Sequence, residues 1–172
     1  MKSAKKILAL ILAGVMALAL LTGCGKATSL DRTIAEGMAE NHKSALAEVG
    51  NENNISVSYQ VPELGRDIAP LFDENWITKD SGDDVLTEAA KETLADILSP
   101  YISATSAVTF LAADVTDVKT PSMECVNLID STIYFVASDF NFDTAFVTSI
   151  RVAVVHKNVN GRTYALAVMI EE

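Results

Sequence analysis

The chain has 172 residues, 13 Lys+Arg against 23 Asp+Glu, and a formal charge of −10. That length allows one domain with a real core. The acidic balance argues against nucleic acid, whose phosphates need a basic footprint, and against an electrostatic hold on anionic lipid.

The chain opens with a basic head, Lys2, Lys5 and Lys6, then an apolar or small run from Ile7 to Leu21. A charged head, a short apolar stretch and small residues before a cut site make a secretory signal. The run falls short of the ~18–20 residues a spanning helix needs. Leu21-Thr22-Gly23-Cys24 closes it. These four residues resemble the lipobox of bacterial lipoproteins. The resemblance covers the signal alone and implies lipid transfer to Cys24, cleavage after Gly23, and a chain anchored on the extracytoplasmic side of a bacterial cell membrane. Loss of the three lysines takes the formal charge to −13. The expected organisation is residues 1–23 as signal, 24–29 as lipidated cysteine and tether, and 30–172 as one domain. With Cys24 committed to lipid, Cys125 has no partner, so the core must hold without a disulfide. Gly25 to Ser29 reach under about 20 Å when extended.

Leu30 to Val49 reads as a helix, with Leu30, Ile34, Met38, Ala45, Leu46 and Val49 on one face. Thr28-x-x-Asp31 is a capping box, and Arg32–Glu36 and Glu40–Lys43 are opposite-charge pairs at helical spacing. Gly37 weakens the middle; Gly50 and Asn51 stop the helix. Ile55 to Val61 alternates as a strand that ends at Pro62. Glu63 to Gly82 is irregular but too apolar for a solvated linker, and a short helix is expected near Pro70 to Trp76. Asp83 or Asp84 caps a second helix reaching Leu98, with Leu86, Ala90, Leu94, Ile97 and Leu98 inward and Glu88, Glu92 and Asp96 in an acidic stripe.

Strands are expected at Ala107–Val118, Met123–Ile129, Thr132–Ser138, Phe146–Val159 and Arg162–Glu171. Asn160-Gly161 is a type I′ hairpin signal, which sets Tyr164, Leu166 and Val168 opposite Lys157, Val155 and Ala153. Apolar residues on both faces imply strands covered on both sides. The fold class is therefore α+β: a curved antiparallel sheet of about five to six strands with two main helices on one face. The element order is similar to nuclear transport factor-like domains, with a cystatin-like sheet as the alternative.

His42 and His156 are the only histidines; His42 is expected in solvent. A Cys125–His156 dyad would suit thiol catalysis, but nothing in the sequence places the two together, and a buried structural cysteine is the favoured reading. Two histidines and one free cysteine are a poor zinc set. Asp139-Phe140-Asn141-Phe142-Asp143 opens like a calcium loop, but Thr144 stands where glycine is needed and Ile150 where glutamate is needed. No cofactor or metal is expected. Trp76 and Phe72, on the long connection, are the candidate binding residues; the competing reading is that they plug the core. The expected role is a monomeric, membrane-anchored binding or interaction module, its partners membrane lipid through Cys24 and an envelope protein or small ligand. The alternative is a small cell-envelope hydrolase using scattered carboxylates or Cys125–His156.

Overall fold

A computed structural model describes residues 28–172. The signal and lipidated Cys24 expected from the sequence, and the residues up to Ala27, lie outside the described residues.

Helix α1, Ser29–Glu48, starts at the expected box. The Thr28 hydroxyl accepts from the Asp31 N–H at 3.1 Å, and the Asp31 carboxylate accepts from the Thr28 N–H at 2.8 Å. Two otherwise orphaned donors are thereby satisfied. At the other end Gly50 takes φ +93°. The Asn51 N–H donates to Leu46 at 2.9 Å and the Gly50 N–H to Ala47 at 3.2 Å, which is a Schellman stop. Ile34, Ala35, Met38, Ala39 and Leu46 are buried; Ala45 and Val49, expected on that face, are exposed. Both charge pairs along the helix form.

The sheet has five strands: β1 Ser56–Ser58, β4 Ala107–Asp114, β5 Ile133–Ser138, β6 Ser149–Val159 and β7 Arg162–Glu171, in the order β1-β6-β7-β4-β5. A separate hairpin joins β2, Ile77–Asp80, to β3, Asp83–Leu86. Between β1 and β2 a π-helical turn, Leu64–Ile68, runs into the single turn α2, Ala69–Leu71, with Pro70 in its first turn as expected. Leu64, Ile68, Phe72 and Trp76 recur every fourth residue and all are buried, so this segment packs as one stripe although it is not one helix. Helix α3 spans Glu88–Leu98 and helix α4 spans Pro121–Ile129.

Alternation along β7 sends successive side chains to two cores. Tyr164, Leu166, Val168 and Ile170 meet Val108 and Phe110 of β4, the Leu64–Trp76 stripe, and Ala90, Leu94 and Leu98 of α3. Ala165, Ala167 and Met169 meet Val152 and Val154 of β6 beneath α1 and α4. The α+β class and the five-stranded sheet are as the sequence predicts. Helices α1 and α4 share one face, α3 covers the other, and the central strands are covered on both sides.

Four local readings are corrected. Met123–Ile129, expected as a strand, lies within α4, where Pro121 occupies the first turn and the Thr120 hydroxyl caps Met123. Asp83 and Asp84 belong to β3, and Thr87 caps α3 in their place, accepting from the Ala90 N–H at 3.3 Å. The strand expected over Ile55–Val61 keeps only three residues. It pairs parallel to β6, Val57 beside Ile150, in an otherwise antiparallel sheet. The strand expected over Ala107–Val118 stops at Asp114, whose carboxylate turns the chain by accepting from the Thr116 N–H at 3.0 Å.

The final hairpin holds the expected register: Lys157, Val155 and Ala153 face Tyr164, Leu166 and Val168. Asn160 and Gly161 take φ +50° and +82°. Gly161→Val should cost about 1–2 kcal/mol or more, because a β-branched side chain resists that backbone region. Chemical denaturation checks this; unchanged stability would place the turn elsewhere.

Candidate functional site

Residues 152, 154 and 156 share one face of β6, so the alternation that buries Val152 and Val154 under α1 aims His156 at the same helices. His156 there meets two carboxylates. Its Nδ1 lies 2.6 Å from Asp31 Oδ1 in the first turn of α1, and its Nε2 lies 2.7 Å from Glu124 Oε2 on α4. The acidic side chains are 6 % and 8 % exposed, against 22 % for the imidazole. An ionised carboxylate can only accept, so between two ionised carboxylates both ring nitrogens donate and the ring carries a positive charge. The bond to Asp31 raises the pKa of His156 above the ordinary histidine range. Burial opposes this, and Glu124 adds to the rise. Burial by itself would raise Asp31, but the hydrogen bonds from His156 and Thr28 outweigh it and hold that carboxyl below its usual value. Asp31 thus caps α1 with one oxygen and binds the sheet with the other.

A second histidine pair lies past the middle of α1. His42 Nε2 lies 2.7 Å from Glu171 Oε1 at the end of β7. His42, expected in solvent, is partly buried instead. The two histidines therefore fasten α1 to the sheet at two points.

Cys125 is a buried structural cysteine, the favoured reading of the sequence, and the alternative Cys125–His156 pair does not form. His156 turns to Glu124, the residue before Cys125, and Cys125 is buried beside Gly37. A Cβ built on Gly37 would come within 3.2 Å of the Cys125 sulfur, so the missing side chain lets α1 and α4 approach. Burial pushes the Cys125 thiol up to about 11, which keeps it protonated at neutral pH.

Trp76 and Phe72 stand in the core at 8 % and 0 % exposure. Their rings meet edge-on at 5.7 Å, and Phe72 also meets Tyr164 edge-on at 5.3 Å. The stripe fills the space between Glu63–Gly82 and the sheet. What remains beside it is an open polar depression of about 340 Å³ along Asp73, Glu74, Lys157 and Asn160.

The Asp139–Asp143 motif acts as turn chemistry. Asp139 accepts from the Asn141 N–H at 2.9 Å, and Asp143 accepts from the Ala145 N–H at 2.9 Å. From the stop of α1, the buried Asn51 donates to the carbonyls of Thr144 at 2.7 Å and Val147 at 2.9 Å; Asn53 donates to Val147 at 3.1 Å. On this anchored connection Phe140 and Phe146 are 99 % and 76 % exposed.

The molecule therefore has two unlike ends. Asp31 meets His156 near the β6–β7 turn, while His42 meets Glu171 at the other end of the sheet, so α1 runs antiparallel to β6. Thr28 and α4 lie at the turn end; Phe140 and Phe146 lie beyond the C-terminal end of α1, roughly 30 Å away by helix rise. Asp31 and Glu124 escaped the sequence reading because they stand 125 and 32 residues from His156, spacings that carry no local signal. Comparison with family models, curated proteins and solved structures finds no match to this chain.

Proposed function

We propose that the chain is a lipid-anchored extracytoplasmic protein whose domain binds a protein partner through the Phe140–Phe146 connection. The observation that carries this reading is the pair of exposed phenylalanines on a backbone held by Asn51 and Asn53. Large apolar side chains kept in water on an ordered loop mark an interaction site, and prior ordering lowers the entropy cost of binding. Their position at the end of α1 away from Thr28 supports the reading, because the lipobox-like segment precedes Thr28. Binding is favoured over catalysis by the engagement of both His156 nitrogens and by the protonated, buried Cys125. General-base catalysis needs a free lone pair, and thiol catalysis needs a thiolate.

A photo-crosslinking residue at position 140, in cells producing the full chain, should yield a discrete protein adduct. The same residue in place of Glu92, exposed on α3, should not. Fatty-acid labelling should mark the wild-type chain and miss Cys24→Ser. Equal adducts at both positions, or none, would count against the loop; an unlabelled wild-type chain would count against the anchor.

A further inference from the structure

Helix α4 is apolar on both sides. Cys125 and Leu128 enter the core, while Met123, Val126 and Ile129, at three-residue spacing, are 55 %, 44 % and 40 % exposed. A surface helix ordinarily turns polar side chains outward. On the same side of the sheet the edge strand β5 leaves Tyr134 and Val136 exposed. They stand opposite Leu111 and Thr109 of β4, and Leu111 packs into the core beneath α1 and α4.

Where the chain leads before Thr28 indicates what covers this side. Glu124, next to Met123, is bonded to His156, His156 to Asp31, and Asp31 to Thr28. The outward face of α4 is thus tied to the first described residue by a short series of hydrogen bonds. From Thr28 back to Cys24 is four residue steps, about 14 Å at full extension.

We infer that the outward face of α4, with Met123 and Val126 foremost, lies on the surface of the membrane that the acyl chains on Cys24 enter. This rests on the lipid-anchored reading above. A tether this short makes the membrane contact intramolecular in effect, so an apolar stripe too small to hold a free protein suffices. The contact is apolar rather than electrostatic. On the segments flanking α4, Asp114, Asp117 and Asp130 outnumber Lys119 and disfavour an anionic headgroup layer, so zwitterionic lipid is the fitting surface. The Phe140–Phe146 connection, at the opposite end, stays in water.

The test uses the full-length chain in phosphatidylcholine vesicles, some carrying brominated acyl chains. Tryptophan is placed singly by Val126→Trp, Met123→Trp and, at the far end, Phe146→Trp. All three sites are exposed, and the native Trp76 is buried in the other core. Side chains at an apolar face sink ~5–10 Å into the headgroup boundary, so the emission added at 126 and 123 should fall about twofold or more in brominated vesicles. Emission added at 146 should not change. A chain that carries the fatty-acid label yet shows no quenching at 126 and 123 overturns the inference and leaves the anchor standing. A chain without the label overturns both. Equal quenching at 146 overturns the orientation. A concentration-dependent blue shift at 126 without vesicles would assign the stripe to a second copy and overturn the membrane contact.

Discussion

Replacing His156 with alanine should lower stability by about 3 kcal/mol, the low end of the range for breaking a buried ion pair, because the ring itself is one-fifth exposed. The loss comes from what stays behind. Asp31 and Glu124 would keep two buried carboxylates facing one another without the cation between them. The effect has a pH signature. The folded pKa of His156 is raised, so its contribution is fully present below the unfolded value of about 6.5 and is lost as pH rises through the folded value. The folded pKa of Asp31 is lowered, so its contribution is present above about 3.9 and is lost as pH falls through the folded value. The difference between wild type and His156→Ala should therefore be largest from about pH 4 to 6.5 and should shrink on the alkaline side. Urea unfolding of both proteins from pH 5 to 9 measures it. A difference that does not vary with pH would mean that His156 is neutral in the folded protein.

Trp76→Ala should cost about 3–5 kcal/mol, the range for truncating a large buried aromatic. The indole is 8 % exposed, meets Phe72 edge-on and lies 6.4 Å from Phe110, so its removal opens a cavity among rings that have no polar group to admit water. Phe72→Ala should cost a similar amount, since Phe72 touches Trp76, Phe110 and Tyr164 at once. Denaturant midpoints and near-ultraviolet dichroism give the readout. A ligand contact at Trp76 would behave in the opposite way, with an almost unchanged midpoint and a lost binding partner.

Elements with local signals are legible in the sequence. The capping box and Schellman stop of α1 are written in Thr28, Asp31, Gly50 and Asn51, and the hairpin in Asn160-Gly161. Helix α4 is not legible as a helix by periodicity. Its outward Met123, Val126 and Ile129 erase the contrast with inward Cys125 and Leu128, and a run apolar all round reads equally well as a buried strand. Thr120-Pro121 was the available signal, a cap followed by proline in the first turn, which sequence alone does not separate from a turn. The parallel β1–β6 pair joins residues over 90 positions apart, and nothing local encodes it. At the site, the face of His156 follows from strand alternation and the hairpin register. Its partners do not, because one looks like an ordinary cap and the other sits on the helix misread as a strand.

The double engagement of Asp31 bears on how the domain carries mechanical load. On the lipid-anchored reading, tension between membrane and partner enters at Thr28. A helix held only by its own turns would unravel from that end, each residue lengthening the leash from ~1.5 to ~3.4 Å. Here the first turn is pinned through His156 to β6, which is zipped to β7 from Ile150–Glu171 to Val159–Arg162. On that reading, pulling must shear that pin before the helix can pay out. Protonation of His156 strengthens the pin, so the first turn is held most firmly in mildly acidic surroundings.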